Sequence, residues 1–110
     1  VNSTTTKRIV VSIQNHDTLD FLRPDDVIEI SCDLSRDGLK PVTPVKVPTA
    51  QKNMIACVKE YERLAVAAIL QQDKSLAVRA LMAHPLIGSY SLAKTLVEAY
   101  LDDEQFAAWR

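Results

Sequence analysis

Glycine is nearly absent from this chain: Gly38 and Gly88 are the only two in 110 residues. No glycine-rich turn can form from them, so these residues hold neither a dinucleotide fingerprint nor a phosphate loop. Cysteine is as scarce. Cys32 and Cys57 each lie inside an apolar pattern, as expected of buried thiols rather than a disulfide, which fits a reducing cytoplasm. An excess of one charge is missing too. Thirteen Lys and Arg against fourteen Asp and Glu are spread along the chain, leaving no basic stripe for nucleic acid or anionic lipid. No apolar run approaches the roughly 20 residues of a membrane span, and VNSTTT lacks the pattern of a signal peptide. The chain opens on Val1 rather than methionine, as expected of a piece of a longer protein.

What is present is an ordinary globular composition, 47% hydrophobic and 25% charged. A chain of this length can bury roughly 65% of the surface exposed when unfolded, enough for one core. The patterning changes period once, near Pro48. Before it, KRIVVSIQ (7–14) places Ile9, Val11 and Ile13 on one face, and DVIEISCD (26–33) does the same with Ile28, Ile30 and Cys32. Residues 15–25 between them carry turn chemistry, with Leu19, Phe21 and Leu22 placed to tuck the loop onto the sheet. Gly38 marks a hairpin, and Pro41 restricts the returning strand 39–42 to an edge. Pro44 and Pro48 predict a stiff extended connection.

After Pro48 the period becomes helical. Met54, Val58, Tyr61, Ala65, Ala68 and Ile69 stripe a long helix over 51–72, widened by Cys57 and Leu64. Lys59, Glu60 and Arg63 face the other way, but LAVAAIL (64–70) has no polar side and must be covered all round. Asp73 predicts the N-cap of a second helix over 74–83, which Pro85 ends at His84. Ser89 or Ser91 caps a third, striped by Leu92, Ala93, Leu96, Val97, Tyr100 and Leu101. The acidic run 102–104 caps a last short helix with Phe106 and Trp109 as its apolar contacts. The expected fold is α+β, a small antiparallel sheet of two or three strands (7–43) followed by three to four packed helices (50–110).

Candidate chemistry is sparse. His16, Cys32, Cys57 and His84 stand singly on separate elements, with no spacing suited to a metal or a cysteine nucleophile. Glu60 with Arg63 reads as an i,i+3 pair on a solvated face, and Glu62 lies near the apolar border, where a specific partner could reach it. His84 before proline reads as a helix-end residue bonded to backbone. The second half of the long helix is the expected contact for self-association, through Leu64, Val66, Ile69 and Leu70.

Three segments carry a resemblance: VSIQNHDTLDFLRPDDVIEISC, VKEYERLAVAAIL and RALMAHPLIGSYSLAKTLVEAYL. In this order and spacing they resemble the C-terminal part of family 4 glycosidases, on the 6-phospho-β-glucosidase branch. The chain departs at His16–Asp17, where the family carries a small residue or glycine after the asparagine. The resemblance implies a lactate/malate-dehydrogenase-like parent that is cytoplasmic and homo-oligomeric, acts on phosphorylated disaccharides, and uses NAD and a divalent metal, usually manganese. It implies oxidation of the sugar at C3 followed by elimination. The family's catalytic and metal-binding residues lie upstream of the matched region, so no catalytic, cofactor or metal residue is assigned here, and this piece is predicted inactive alone. The competing reading is a stand-alone interaction module that presents the LAVAAIL face to a partner.

Overall fold

A computed structural model describes residues 5–42 and 46–110 and divides the chain into two compact units, Val1–Pro48 and Thr49–Arg110. In the first, β1 (Lys7–Gln14), β2 (Val27–Ser35) and β3 (Gly38–Pro41) form an antiparallel sheet in the order β1-β2-β3. The register opposes Ile9 to Cys32, Val11 to Ile30 and Ile13 to Ile28, so the branched residues of both strands share one face. Ile28 and Cys32 on that face are buried, while Val10 and Val27 on the other are exposed. An ion pair between the cross-strand partners Arg8 and Asp33, at 2.9 Å, is exposed and contributes little. The Arg8 hydrogen bond nevertheless holds the Asp33 carboxyl below its ordinary value.

The β2–β3 hairpin closes through Ser35 opposite Gly38. Its positive φ of 116° falls on Gly38, where a side chain would be strained. Pairing to this point carries β2 two residues beyond the expected Asp33. Val42 still donates to the Ser31 carbonyl at 2.9 Å, so the missing N–H of Pro41 points away from β2, as an edge strand requires. Thr43, the expected end of the sheet, and Pro44 lie outside the described residues.

The loop between β1 and β2 is organised from inside by Asn15, which is fully buried. Its amide nitrogen donates to the carbonyls of Leu19 and Arg23, both at 3.0 Å, and its oxygen accepts from the Leu19 N–H at 2.8 Å. Backbone bonds from Asn15 to Asp26 and from His16 to Pro24 close the base, and Leu22 is buried. His16 adopts a left-handed φ of 51°.

The second unit holds α1 (Thr49–Gln71), α2 (Lys74–Ala83), α3 (Tyr90–Tyr100) and a 3-10 turn at Glu104–Phe106. α1 ends in a Schellman motif, with Gln72 at φ 51°. Gln72 N–H donates to Ile69 O and Asp73 N–H to Ala68 O. Asp73 then caps α2, its carboxylate accepting from the N–H groups of Ser75 and Leu76. His84 turns extended before Pro85, and Ser89 rather than Ser91 caps α3. α2 packs against both other helices, and Ala68, Ala80, Ala93 and Val97 are buried.

The stripes are only partly covered. Met54, Cys57, Ile69, Leu92 and Tyr100 are exposed. Length is one reason: 23 residues of α1 rise about 34 Å and ten of α2 about 15 Å, so α2 flanks only the C-terminal half of α1.

Candidate functional site

α2 carries α1 on one side and α3 on the other, while α1 and α3 are held apart from each other. The gap is an apolar groove of about 350 Å3. Alanines three apart form its small-residue surfaces, Ala65 and Ala68 on α1 and Ala77 and Ala80 on α2. Leu96, Val97 and Tyr100 line it from α3, and Tyr61, Ile69 and Trp109 are among its other walls. Its surface offers shape and dispersion contacts, because almost no polar group enters it. Tyr61 meets His84 edge-on, with ring centroids 4.9 Å apart. His84 Nδ1 accepts from the Leu86 N–H at 3.2 Å, the helix-end role expected of it, which puts the proton of the neutral ring on Nε2.

His16 and Cys32 lie in the first unit, Cys57 and His84 in the second. Among the described residues no three His, Cys, Asp or Glu side chains gather as metal ligands. Cys32 is buried with its thiol toward the Ile30 carbonyl, whereas Cys57, expected buried, is exposed on α1; both thiols are free. With no ligand cluster and no glycine turn, these residues do not fit a manganese ion or a dinucleotide.

The acidic residues of α1 each take a partner from their own helix. Arg63 bonds Glu60 at 3.1 Å, the pairing expected from spacing, and Lys59 bonds Glu62 at 2.7 Å. Lys59 is not on an open solvated face, since its side chain is 14% exposed. Its long stem can be covered while the ammonium stays matched by a carboxylate. Of the four residues expected at an interface, Val66, Ile69 and Leu70 form one exposed face at 55%, 63% and 79%. Leu64 is half-buried around the other side of the helix. Sequence reasoning did not find the groove. Its signal was the pair of small-residue steps, 65/68 and 77/80, which read only as helix stripe until α2 was placed against α1.

No helix among the described residues is long and apolar enough to cross a membrane. The chain matches the family 4 glycosyl hydrolase C-terminal domain over residues 1–87. It is 33% identical over 93 residues to the 6-phospho-beta-glucosidase BglT of Thermotoga maritima, covering 84% of this chain and 22% of that protein. A probable 6-phospho-beta-glucosidase of Bacillus subtilis is 25% identical over 92 residues, 84% of this chain and 21% of its own length. The chain thus spans about a fifth of the relatives it matches. The crystal structure of the Thermotoga maritima 6-phospho-beta glucosidase with manganese, NAD+ and glucose-6-phosphate superposes with a TM-score of 0.76 at 32% identity, over 91% of this chain and 25% of that one. A 6-phospho-alpha-glucosidase from gut microorganisms shares the fold, with a TM-score of 0.80 at 24% identity over 94% of this chain and 23% of that one. The sheet, its loop and the helices that follow are therefore a version of a known glycosidase element, and this chain belongs to the family 4 glycosyl hydrolases, in their C-terminal domain.

Proposed function

We propose that this chain is the C-terminal part of a cytoplasmic, NAD- and manganese-dependent 6-phospho-β-glucosidase, acting by oxidation and elimination on phosphorylated β-glucosides such as 6-phospho-cellobiose. The observation that carries the reading is the 33% identity to BglT, maintained over 93 of the 110 residues. The chain's own part is structural. Its residues 1–110 form the back wall of a catalytic domain, with the sheet within 7–43 and the helices within 50–110. In this reading the nicotinamide, the metal and the sugar are held by residues outside it. The exposed face Val66, Ile69 and Leu70 is the proposed subunit contact of a homo-oligomer, with Leu64 behind it.

A chimera tests the assignment. The matching segment of the Thermotoga maritima enzyme is replaced by this chain and assayed with a chromogenic 6-phospho-β-glucoside, NAD+ and manganese. Turnover by the chimera and none by the 110-residue chain is the expected pair of results. A folded chimera that binds NAD+ but turns over nothing would overturn the reading and favour an interaction module. Turnover by the 110-residue chain alone would overturn the structural role.

A further inference from the structure

Residues 103–110 form a small body held together by its own bonds. Asp103 caps it through Gln105 N–H, Phe106 N–H donates to Asp103 O, Ala107 N–H to Glu104 O and Trp109 N–H to Phe106 O. The rings of Phe106 and Trp109 meet edge-on at 6.1 Å, so that contact moves with the segment and does not anchor it. Two backbone hydrogen bonds tie it to the α1–α2 corner: Lys74 N–H to Arg110 O at 2.7 Å, and Arg110 N–H to Gln72 O at 2.9 Å. Trp109 lines the apolar groove beside that corner and is only half-buried.

We propose that residues 103–110 are a strap, fastened by the Gln72–Arg110–Lys74 bridge, which opens and closes the α1–α3 groove through Trp109 while the three helices stay folded. Internal bonds make the strap move as one piece, and few bonds oppose its release, the condition for local opening below the energy of global unfolding. Its closed state removes apolar groove surface from water, which favours closure.

The position of Lys74 supplies a clean test. It is the first residue of α2, where proline is well accepted, and Asp73 before it is already extended at φ −113° and ψ 112°. Lys74→Pro thus removes one bridge donor without taking a bond from the helix, and Lys74→Ala keeps the donor as control. Trp109 is the only tryptophan among these 110 residues, so in the 110-residue chain its fluorescence reports the strap alone. Lys74→Pro is expected to speed hydrogen exchange at the Arg110 amide about fivefold, the size of one lost hydrogen bond. Acrylamide quenching of Trp109 and anilinonaphthalene sulfonate fluorescence should rise with it, at unchanged helical circular dichroism and with Lys74→Ala like the parent. Unchanged tryptophan quenching and dye binding in Lys74→Pro would overturn the proposal. So would loss of helical signal together with the other probes, because the bridge would then hold the fold rather than a strap.

Discussion

The N–H of Asp73 closes the end of α1 on the carbonyl of Ala68 at 3.0 Å, while the carboxylate of the same residue opens α2. One residue is the second position beyond one helix and the N-cap of the next, so the corner has no spare residue. Its chemistry is pH-dependent. The Ser75 hydroxyl, and after it the Leu76 N–H, hold the Asp73 carboxyl below its ordinary value. A carboxyl lowered in the folded state adds stability above its unfolded value of about 4, lost as pH falls through the lower folded value. Asp73→Asn keeps a capping side chain and removes the titration. Its thermal midpoint should fall less than the parent's between about pH 5 and about pH 2. Parallel curves for the two proteins would exclude the link.

Asn15→Ala is expected to destabilise the chain by roughly 2–3 kcal/mol, read from urea unfolding. It leaves the Leu19 N–H and the Leu19 and Arg23 carbonyls without their buried partner. A loss within experimental error would mean that water replaces the amide at no cost.

His16→Gly and Gln72→Gly should each raise stability by about 0.5–1 kcal/mol, because both residues hold a left-handed φ of 51°. Gln71→Gly, at the last residue of α1 and without a left-handed φ, should bring no such gain. Chemical denaturation of the three variants checks the signs.

Light scattering at micromolar concentration is expected to give a mass above that of one 12.2 kDa chain. Leu70→Glu should return it to the monomer while shifting folding stability by no more than about 0.5 kcal/mol, as suits a side chain 79% exposed. A monomeric parent, or a Leu70→Glu variant that misfolds, would rule out the proposed contact.

Elements governed by local chemistry were legible in the sequence. Period-two branched residues made β1 and β2, Asp73 and Pro85 bounded α2 at Lys74 and Ala83, and Gly38 supplied the hairpin's positive φ. Coverage of the helices was not legible, since exposure at Met54, Ile69 and Tyr100 depends on where α2 lies against α1 and α3. The groove was hidden for the same reason. It arises because α1 and α3 both choose α2, a fact of packing that no single stripe records. Nor did pattern alone give Asn15 its place, for a buried amide serving a loop looks in sequence like any turn asparagine.

Pro41 gives the sheet two unequal borders. Donors on β3 alternate, and with Val42 bonded inward to Ser31 the outward positions are Leu39 and Pro41, of which only Leu39 carries an N–H. That border offers a visiting strand almost nothing to pair with. β1 has no proline from Lys7 to Gln14 and presents outward donors at every second residue, with only Lys7 and Arg8 as charged guards at one end. Growth of the sheet by an added strand, whether in misassembly or in a designed fusion, is therefore directed to β1.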